Sequence, residues 1–173
     1  YAPCISTDGK TLVFTSRRGD TKGGGVDVNF DHLYYSDIYI STWNEETKEW
    51  NEAQPIDGKV NTEFHDGGLS FTPEGELLIY RNIFGATRSG DIYIVKMSSS
   101  GKWGAPREVF DKDKVGNKKL NRLVNSTYFE SSASMTADGN YFYFVSTQPF
   151  NESLDLSFSK KFFKDQLSVS LNF

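Results

Sequence analysis

The sequence predicts an all-β chain built from repeated units of about four short strands, on three observations. A pattern of apolar stretch, acidic-Gly step and second apolar stretch occurs three times at nearly constant spacing. Aromatic residues make up 15% of the 173 positions, which favours strands. No convincing helical pattern is present. The best candidate, Lys112–Leu123, is polar and interrupted by Gly116.

The first element is the repeated hairpin. Pro3 to Ser16, Leu69 to Asn82 and Ala133 to Ser146 align through Asp8-Gly9, Glu74-Gly75 and Asp138-Gly139, which lie 66 and 64 residues apart. An acidic-Gly step between apolar stretches reads as a tight turn whose Gly supplies a positive φ. Tyr141–Val145 is continuously apolar, as expected of a strand covered on both faces. The second element is a short strand, Asp37-Ile38-Tyr39-Ile40 and again Asp91-Ile92-Tyr93-Ile94, with Asp155-Leu156-Ser157-Phe158 as a degraded copy. The gap before it is 29 residues in the first copy and 17 in the others, so the first copy carries a 12-residue insertion within Gly19–Tyr35. Trp50 with Pro55, and Trp103 with Pro106, lead into an outer strand, where Pro is tolerated. Val60-Asn61-Thr62 and Val124-Asn125-Ser126 close the units as blade-connecting turns.

A small sheet with aromatics on both faces must stack on a neighbouring copy, as propeller blades do. The predicted architecture is therefore a partial β-propeller of about two and a half four-stranded blades. The repeats occupy 1–146, in units of approximately 1–64, 65–128 and 129–157, followed by an atypical tail over 147–173. In that tail Leu167, Val169, Leu171 and Phe173 alternate, which reads as a strand on the open edge of the third blade. Tyr1 opens in the middle of a unit, so the chain is expected to be a fragment of a longer propeller. Open sheet edges predict self-association.

Nineteen Lys and Arg stand against 23 Asp and Glu, for a formal charge of −4. That balance gives no basic face for nucleic acid. No run approaches 18 apolar residues, so no transmembrane helix is predicted. One cysteine, Cys4, excludes an intrachain disulfide and a multi-cysteine zinc site. It aligns with Ser70 and Ser134 and reads as a packed strand residue rather than a nucleophile.

These repeats resemble the TolB-like, WD-repeat-like β-propeller repeats of bacterial envelope proteins. The resemblance rests on Asp-Gly followed by an apolar strand, on Gly90-Asp91-Ile92-Tyr93, on Gly101-Lys102-Trp103-Gly104-Ala105-Pro106 and on the Asn-Thr element. The long form is similar to repeats of Bacteroidetes-type periplasmic and outer-membrane proteins. It implies a bacterial cell-envelope location, periplasmic or outer-membrane associated, and a protein, peptidoglycan or other glycan partner. It implies no catalytic residue.

Few residues suggest chemistry. His65 and Asp66, with Glu63 nearby, hint at a metal site, but their place before a repeat strand favours a structural or exposed role. His32 reads as a loop residue. Asp8, Glu74 and Asp138 recur at one place in each unit, which marks turn formers rather than glycosidase carboxylates. Asp37, Asp91 and Asp155 read as carboxylates that bond neighbouring backbone. Gly23-Gly24-Gly25 lacks the lysine and helix of a phosphate loop, and no nucleophile elbow is present. No catalytic residue, metal or cofactor is therefore expected.

Repetition marks structure, so the non-repeated residues are the candidate partner-binding set. They are Arg17, Arg18 and Asp20 at the root of the insertion, Asp27, Asp31 and His32 within it, Arg81 and Arg88 in the second unit, and Lys118 and Lys119 in the basic run. Loops over Gly19–Tyr35 and Asp111–Leu123 would carry recognition. Trp43 is the candidate exposed aromatic. The sequence-level reading is a non-catalytic binding scaffold. The alternatives are the propeller portion of a hydrolase, either a peptidase or a carbohydrate-active enzyme, and a glycan-binding module.

Overall fold

The computed structural model describes residues 1–22, 25–83, 89–110, 116–147 and 158–159. Three antiparallel sheets follow one another along the chain. The first contains β1 (Cys4–Ile5), β2 (Thr11–Ser16), β3 (Asp37–Asn44), β4 (Glu49–Trp50) and β5 (Gln54–Pro55). The segments β4 and β5 pair with successive stretches of β3, so together they form one interrupted outer strand. Pro55 sits on that outer strand, where its missing N–H costs no ladder bond. The second sheet runs β6 (Asp66–Phe71), β7 (Leu77–Ile83), β8 (Ser89–Val95). Its outer edge continues as the bridges Ile94–Arg107 and Met97–Trp103. The third pairs β9 (Glu130–Met135) with β10 (Phe142–Ser146), and β10 with β11 (Phe158–Ser159). Successive meander sheets stacked in chain order make a partial β-propeller.

The turns behave as the acidic-Gly pattern requires. Gly9, Gly75 and Gly139 take φ of 72°, 76° and 69°. Each donates its N–H to the residue three before it, Ser6, Thr72 and Thr136. Asp8 accepts from Ser6 Oγ at 2.5 Å and from the Lys10 amide at 3.0 Å. Asp138 repeats this with Thr136 and Asn140. The carboxylates are held by the turn and are turn formers.

The core explains why the sheets stack. On β7, Leu77 and Ile79 face the first sheet, where they pack with Val13, Ile38 and Ile56 in a cluster that Trp103 of the second sheet's edge completes. Leu78 faces the third, with Phe142 and Phe144. Side chains alternate across a strand, so an unbroken apolar run means a sheet covered on both sides. Cys4 is half-buried against the first cluster, and burial pushes its thiol up to about 11.

Two expectations need correction. Residues Asn117–Val124 form helix α1, where a polar loop was expected. Gly116 does not interrupt it; at φ 87° it precedes the first turn. Lys118, Lys119 and Arg122 face outward, while Val124, with Leu120 and Leu123, packs on the core and the buried Asn121 bonds the Phe110 backbone. Tertiary packing outweighs weak local propensity here. Trp43 is not an exposed aromatic either. It is half-buried, edge-to-face with Trp50 at 5.5 Å across the β3–β4 pair. Asp155 and most of the 147–173 tail lie outside the described residues.

Asn61 and Asn125 do more than turn the chain. Asn61 Oδ1 accepts from the Ile38 amide at 2.9 Å, and its Nδ2 donates to the Ile38 carbonyl at 3.0 Å. Asn125 holds Ile92 in the same way, at 2.9 and 2.8 Å. Each connector thus clamps an earlier strand of the sheet it is leaving, β3 for Asn61 and β8 for Asn125. Asn61→Ala should lower stability by about 1–3 kcal/mol, because it strands the amide of the fully buried Ile38, whose carbonyl keeps its bond from the Ile56 amide. The shift of the urea midpoint measures this, and an unchanged midpoint would refute the clamp.

Candidate functional site

The ends of β2, β7 and β10 and the starts of β3, β6, β8 and β9 lie at the end of the sheets opposite the Asp-Gly turns. The long connections collect there. Arg17 fixes the insertion. Its Nη1 and Nη2 reach Asp31 at 2.5 and 2.8 Å, its Nη2 donates to the Leu33 carbonyl at 3.0 Å, and its Nε donates to the Tyr34 carbonyl. The hydrogen-bonded guanidinium pulls the Asp31 carboxyl down to about 2. A bridge between Val26 and Tyr34 closes the insertion into a small hairpin. Arg18 lies over the Tyr39 ring at 4.6 Å and the Phe14 ring at 5.5 Å. Asp20 accepts from the Tyr39 hydroxyl at 2.6 Å. Burial, with the Asp20 carboxylate beside it, raises the Tyr39 phenol. These three are fasteners of the insertion and of β3.

Asp27 and His65 meet at a cavity. His65 Nδ1 accepts from the Ser36 amide at 3.1 Å. The ring hydrogen therefore sits on Nε2, which faces Asp27 Oδ2 at 3.4 Å. Ser36 Oγ also lies 3.1 Å from Nδ1 and donates to the Asp66 carbonyl at 3.1 Å. The order Ser36, His65, Asp27 outlines a nucleophilic triad, but Ser36 is only 2% exposed and its Nδ1 partner is occupied by a backbone amide. The hydroxyl itself is spent on the Asp66 carbonyl. The arrangement orients Asp27 instead.

The cavity, about 410 Å3, is lined by Asp27, Asn29, Phe30, Tyr35, Phe64, His65, Tyr80, Asn82 and Phe129. Tyr35 meets His65 at 4.9 Å and Phe64 at 6.0 Å, both edge-on. Tyr80 tilts against Phe129 at 5.5 Å. The Tyr80 ring lies over Gly90, where a Cβ would come within 2.0 Å of it, so this glycine is what lets the ring lie flat on β8. A second cavity of about 350 Å3 shares His65, Tyr80 and Phe129 and runs between the innermost strands. Ala2, Gly68 and Ser132, one repeat position in three sheets, line it together. Ala2 and Ser132 hold φ of 49° and 42°. Ser132 is the extra residue where the β9–β10 register shifts.

A buried polar seam runs behind both cavities. Asp66 Oδ2 accepts from the Thr62 amide and hydroxyl, the latter at 2.7 Å. Burial pushes its carboxyl up to about 6, against those bonds and the Arg81 guanidinium 3.5 Å away. Arg81 also lies 5.7 Å over Tyr93 and lines an adjoining open cleft with Lys22 and with Asn82, which both spaces share. Asp37 takes its bond from the Lys22 amide at 2.6 Å, as a backbone-bonding carboxylate should. Asp91 differs: its Oδ2 meets the Tyr93 hydroxyl at 3.3 Å, and burial pushes it up to about 6. Among the described residues no three His, Cys, Asp or Glu side chains converge as metal ligands.

Of the sequence-predicted site residues, the structure brings Asp27 to the cavity wall and Arg17 and Asp31 to the base of the loop. His32 is exposed at φ 58° and lines no described cavity. Lys118 and Lys119 are exposed on α1 and line none either. Arg88 lies outside the described residues. Reasoning from non-repetition passed over Phe64, His65, Tyr80 and Phe129. A signal for them exists: Phe64-His65-Asp66 and Tyr128-Phe129-Glu130 follow the two Asn elements at the same 64-residue offset. Glu130 duly binds Ser126 as Asp66 binds Thr62.

No protein-family model and no curated protein matches the chain. Among solved structures it is similar to the periplasmic gluconolactonase of Pseudomonas aeruginosa, at 11% identity and a TM-score of 0.47. The match covers 84% of this chain and 36% of that one, so the chain spans about a third of that protein's length. The propeller assignment rests on the chain's own sheets.

Proposed function

We propose that the chain is a non-catalytic binding module of a bacterial cell-envelope protein. It recognises a protein or cell-wall partner with the loop-bearing end of its blades. One observation carries this reading: the insertion puts apolar side chains into solvent at the mouth of an aromatic cavity. Phe30 is 78% exposed, and Val28 and Leu33 are more than half exposed on the same loop. Phe129 is exposed across the opening. Burying one such ring stabilises a complex by roughly 1.5–3 kcal/mol, and contiguous exposed apolar surface marks interaction sites. Arg17 supports the reading by tethering the loop before any partner arrives, which lowers the ordering cost of binding. The envelope setting is supported by the resemblance of the repeats.

The test is a retention screen against immobilised peptides and peptidoglycan fragments, repeated with variants. Phe30→Ser combined with Phe129→Ser should weaken the retained ligand by about tenfold or more. Lys118→Ala with Lys119→Ala should leave it unchanged. Unaltered retention by the double Phe variant, or turnover of the retained ligand, would overturn the proposal.

A further inference from the structure

We propose that the cavity between Asp27, Phe30, Tyr35, Phe64, Tyr80 and Phe129 takes an organic cation, the guanidinium or ammonium of a peptide side chain. The inference rests on the binding-module reading and names the chemistry of that site.

The lining is what selects the ligand. Five of the nine lining residues are Phe or Tyr, and none is Lys or Arg. An aromatic face carries negative charge density, which attracts a cation within about 6 Å of the ring centre. The one acidic side chain on the wall is Asp27, and the neighbouring imidazole takes the Ser36 amide at Nδ1. Asp27 gives Oδ1 to the Asn29 amide and faces His65 with Oδ2. Two bonds leave a carboxylate with free lone pairs for a bidentate donor. Carboxylates behind the wall act in the same direction. Burial raises the Tyr80 phenol to about 12, with smaller contributions from the charges of Tyr1, Asp66 and Asp91. Arg81, the guanidinium that pairs with Asp66, is turned to the neighbouring cleft. An anionic ligand would meet Asp27 with no Lys or Arg on the wall to offset it, and a carboxylate or phosphate is thereby disfavoured.

The surroundings favour a peptide over a free amine. A space of about 410 Å3 suits one long basic side chain. Phe30 at its rim is exposed, and the same loop carries the exposed apolar side chains of Val28 and Leu33. A small free cation would leave that surface wet, whereas the apolar neighbours of an Arg or Lys in a peptide would cover it.

The experiment titrates the full chain with a capped Leu-Arg-Leu peptide and with the same peptide carrying citrulline, the neutral isostere of arginine. Acetyl-arginine-amide and di-N-acetylchitobiose are the third and fourth probes. Ring proton shifts in NMR report the cavity, and isotherms report affinity. The arginine peptide should bind about tenfold more tightly than the citrulline peptide. It should also bind more tightly than acetyl-arginine-amide, and its advantage over citrulline should fall with added salt. Asp27→Asn keeps an acceptor for the Asn29 amide, so the loop stays closed, yet it should abolish the discrimination between arginine and citrulline. Equal binding of the two peptides, or ring shifts with chitobiose alone, would overturn the cation assignment and leave the binding-module reading standing. Acetyl-arginine-amide as tight as the peptide would overturn the peptide source. Silence from every probe, with the screened ligand retained elsewhere on the surface, would overturn both.

Discussion

Phe142→Ala is expected to cost about 3–5 kcal/mol, the largest loss from any single substitution considered for this chain. The ring is 2% exposed. It stands edge-on to Phe110 at 6.0 Å and tilted to Phe144 at 5.8 Å, in the cluster shared by the second and third sheets. Truncation removes the buried area and leaves a hole between two sheets that cannot close without sliding. Globular domains hold only about 5–15 kcal/mol in total, so the third blade should detach or melt at ordinary temperature. Phe142→Leu fills most of the space and should cost under about 1.5 kcal/mol. Urea unfolding followed by near-UV circular dichroism distinguishes the two. A loss for Phe142→Ala no larger than for Phe142→Leu would mean that the inter-blade packing is wrong.

Stability should rise on mild acidification, contrary to the usual behaviour of carboxylates. Asp66 titrates near 6 in the folded chain because burial penalises its charge. An unfolded Asp titrates at about 3.9. Between those values the folded chain holds a proton that the unfolded chain has released. Folding is therefore favoured as pH falls from about 6 to about 4, and that gain is lost as pH rises again through 6. The full difference is on the order of 2–3 kcal/mol for Asp66. Asp91, also raised to about 6 by burial, moves in the same sense. Asp8, Asp31, Asp138 and Glu45 move in the other, since bonds to their charged forms lower them all. Their stabilisation is present above the unfolded value and disappears below it, so the optimum should fall between about pH 4 and pH 6. A higher urea midpoint at about pH 5 than at about pH 7.5 is the expected result, and Asp66→Asn should flatten the difference. A midpoint that climbs steadily from pH 5 to 7.5 would refute the buried charge.

The repeats were legible in sequence because turns and strands are local. The acidic-Gly turns and the Asp-Ile-Tyr strand needed only a positive φ and a two-residue period to be recognised. Helix α1 was not legible. Its apolar face is three residues wide, and only the packing of Val124, Leu120 and Leu123 on another sheet makes it worth forming. The candidate site was legible in half. Arg17, Asp27 and Asp31 stood out as residues of the insertion. His65, Tyr80 and Phe129 sit on repeated frames, and a frame looks structural until neighbouring copies are placed side by side. Ser36 and His65, 29 positions apart, come together only because β3 and β6 belong to adjacent sheets.

The two Asn connectors have a geometric consequence. Asn61 grips the first sheet through Ile38, and the next residue, Thr62, grips the second through Asp66. Asn125 and Ser126 do the same for the second and third sheets through Ile92 and Glu130. One peptide bond thus spans each joint, with both sides riveted, and leaves almost no lever arm over which the angle between sheets can drift. These dipeptides act with the apolar packing between sheets to hold each joint. Since a ring closes only when its joint angles sum to a full turn, any residue that loosens such a joint bears on how many copies a closed ring would need.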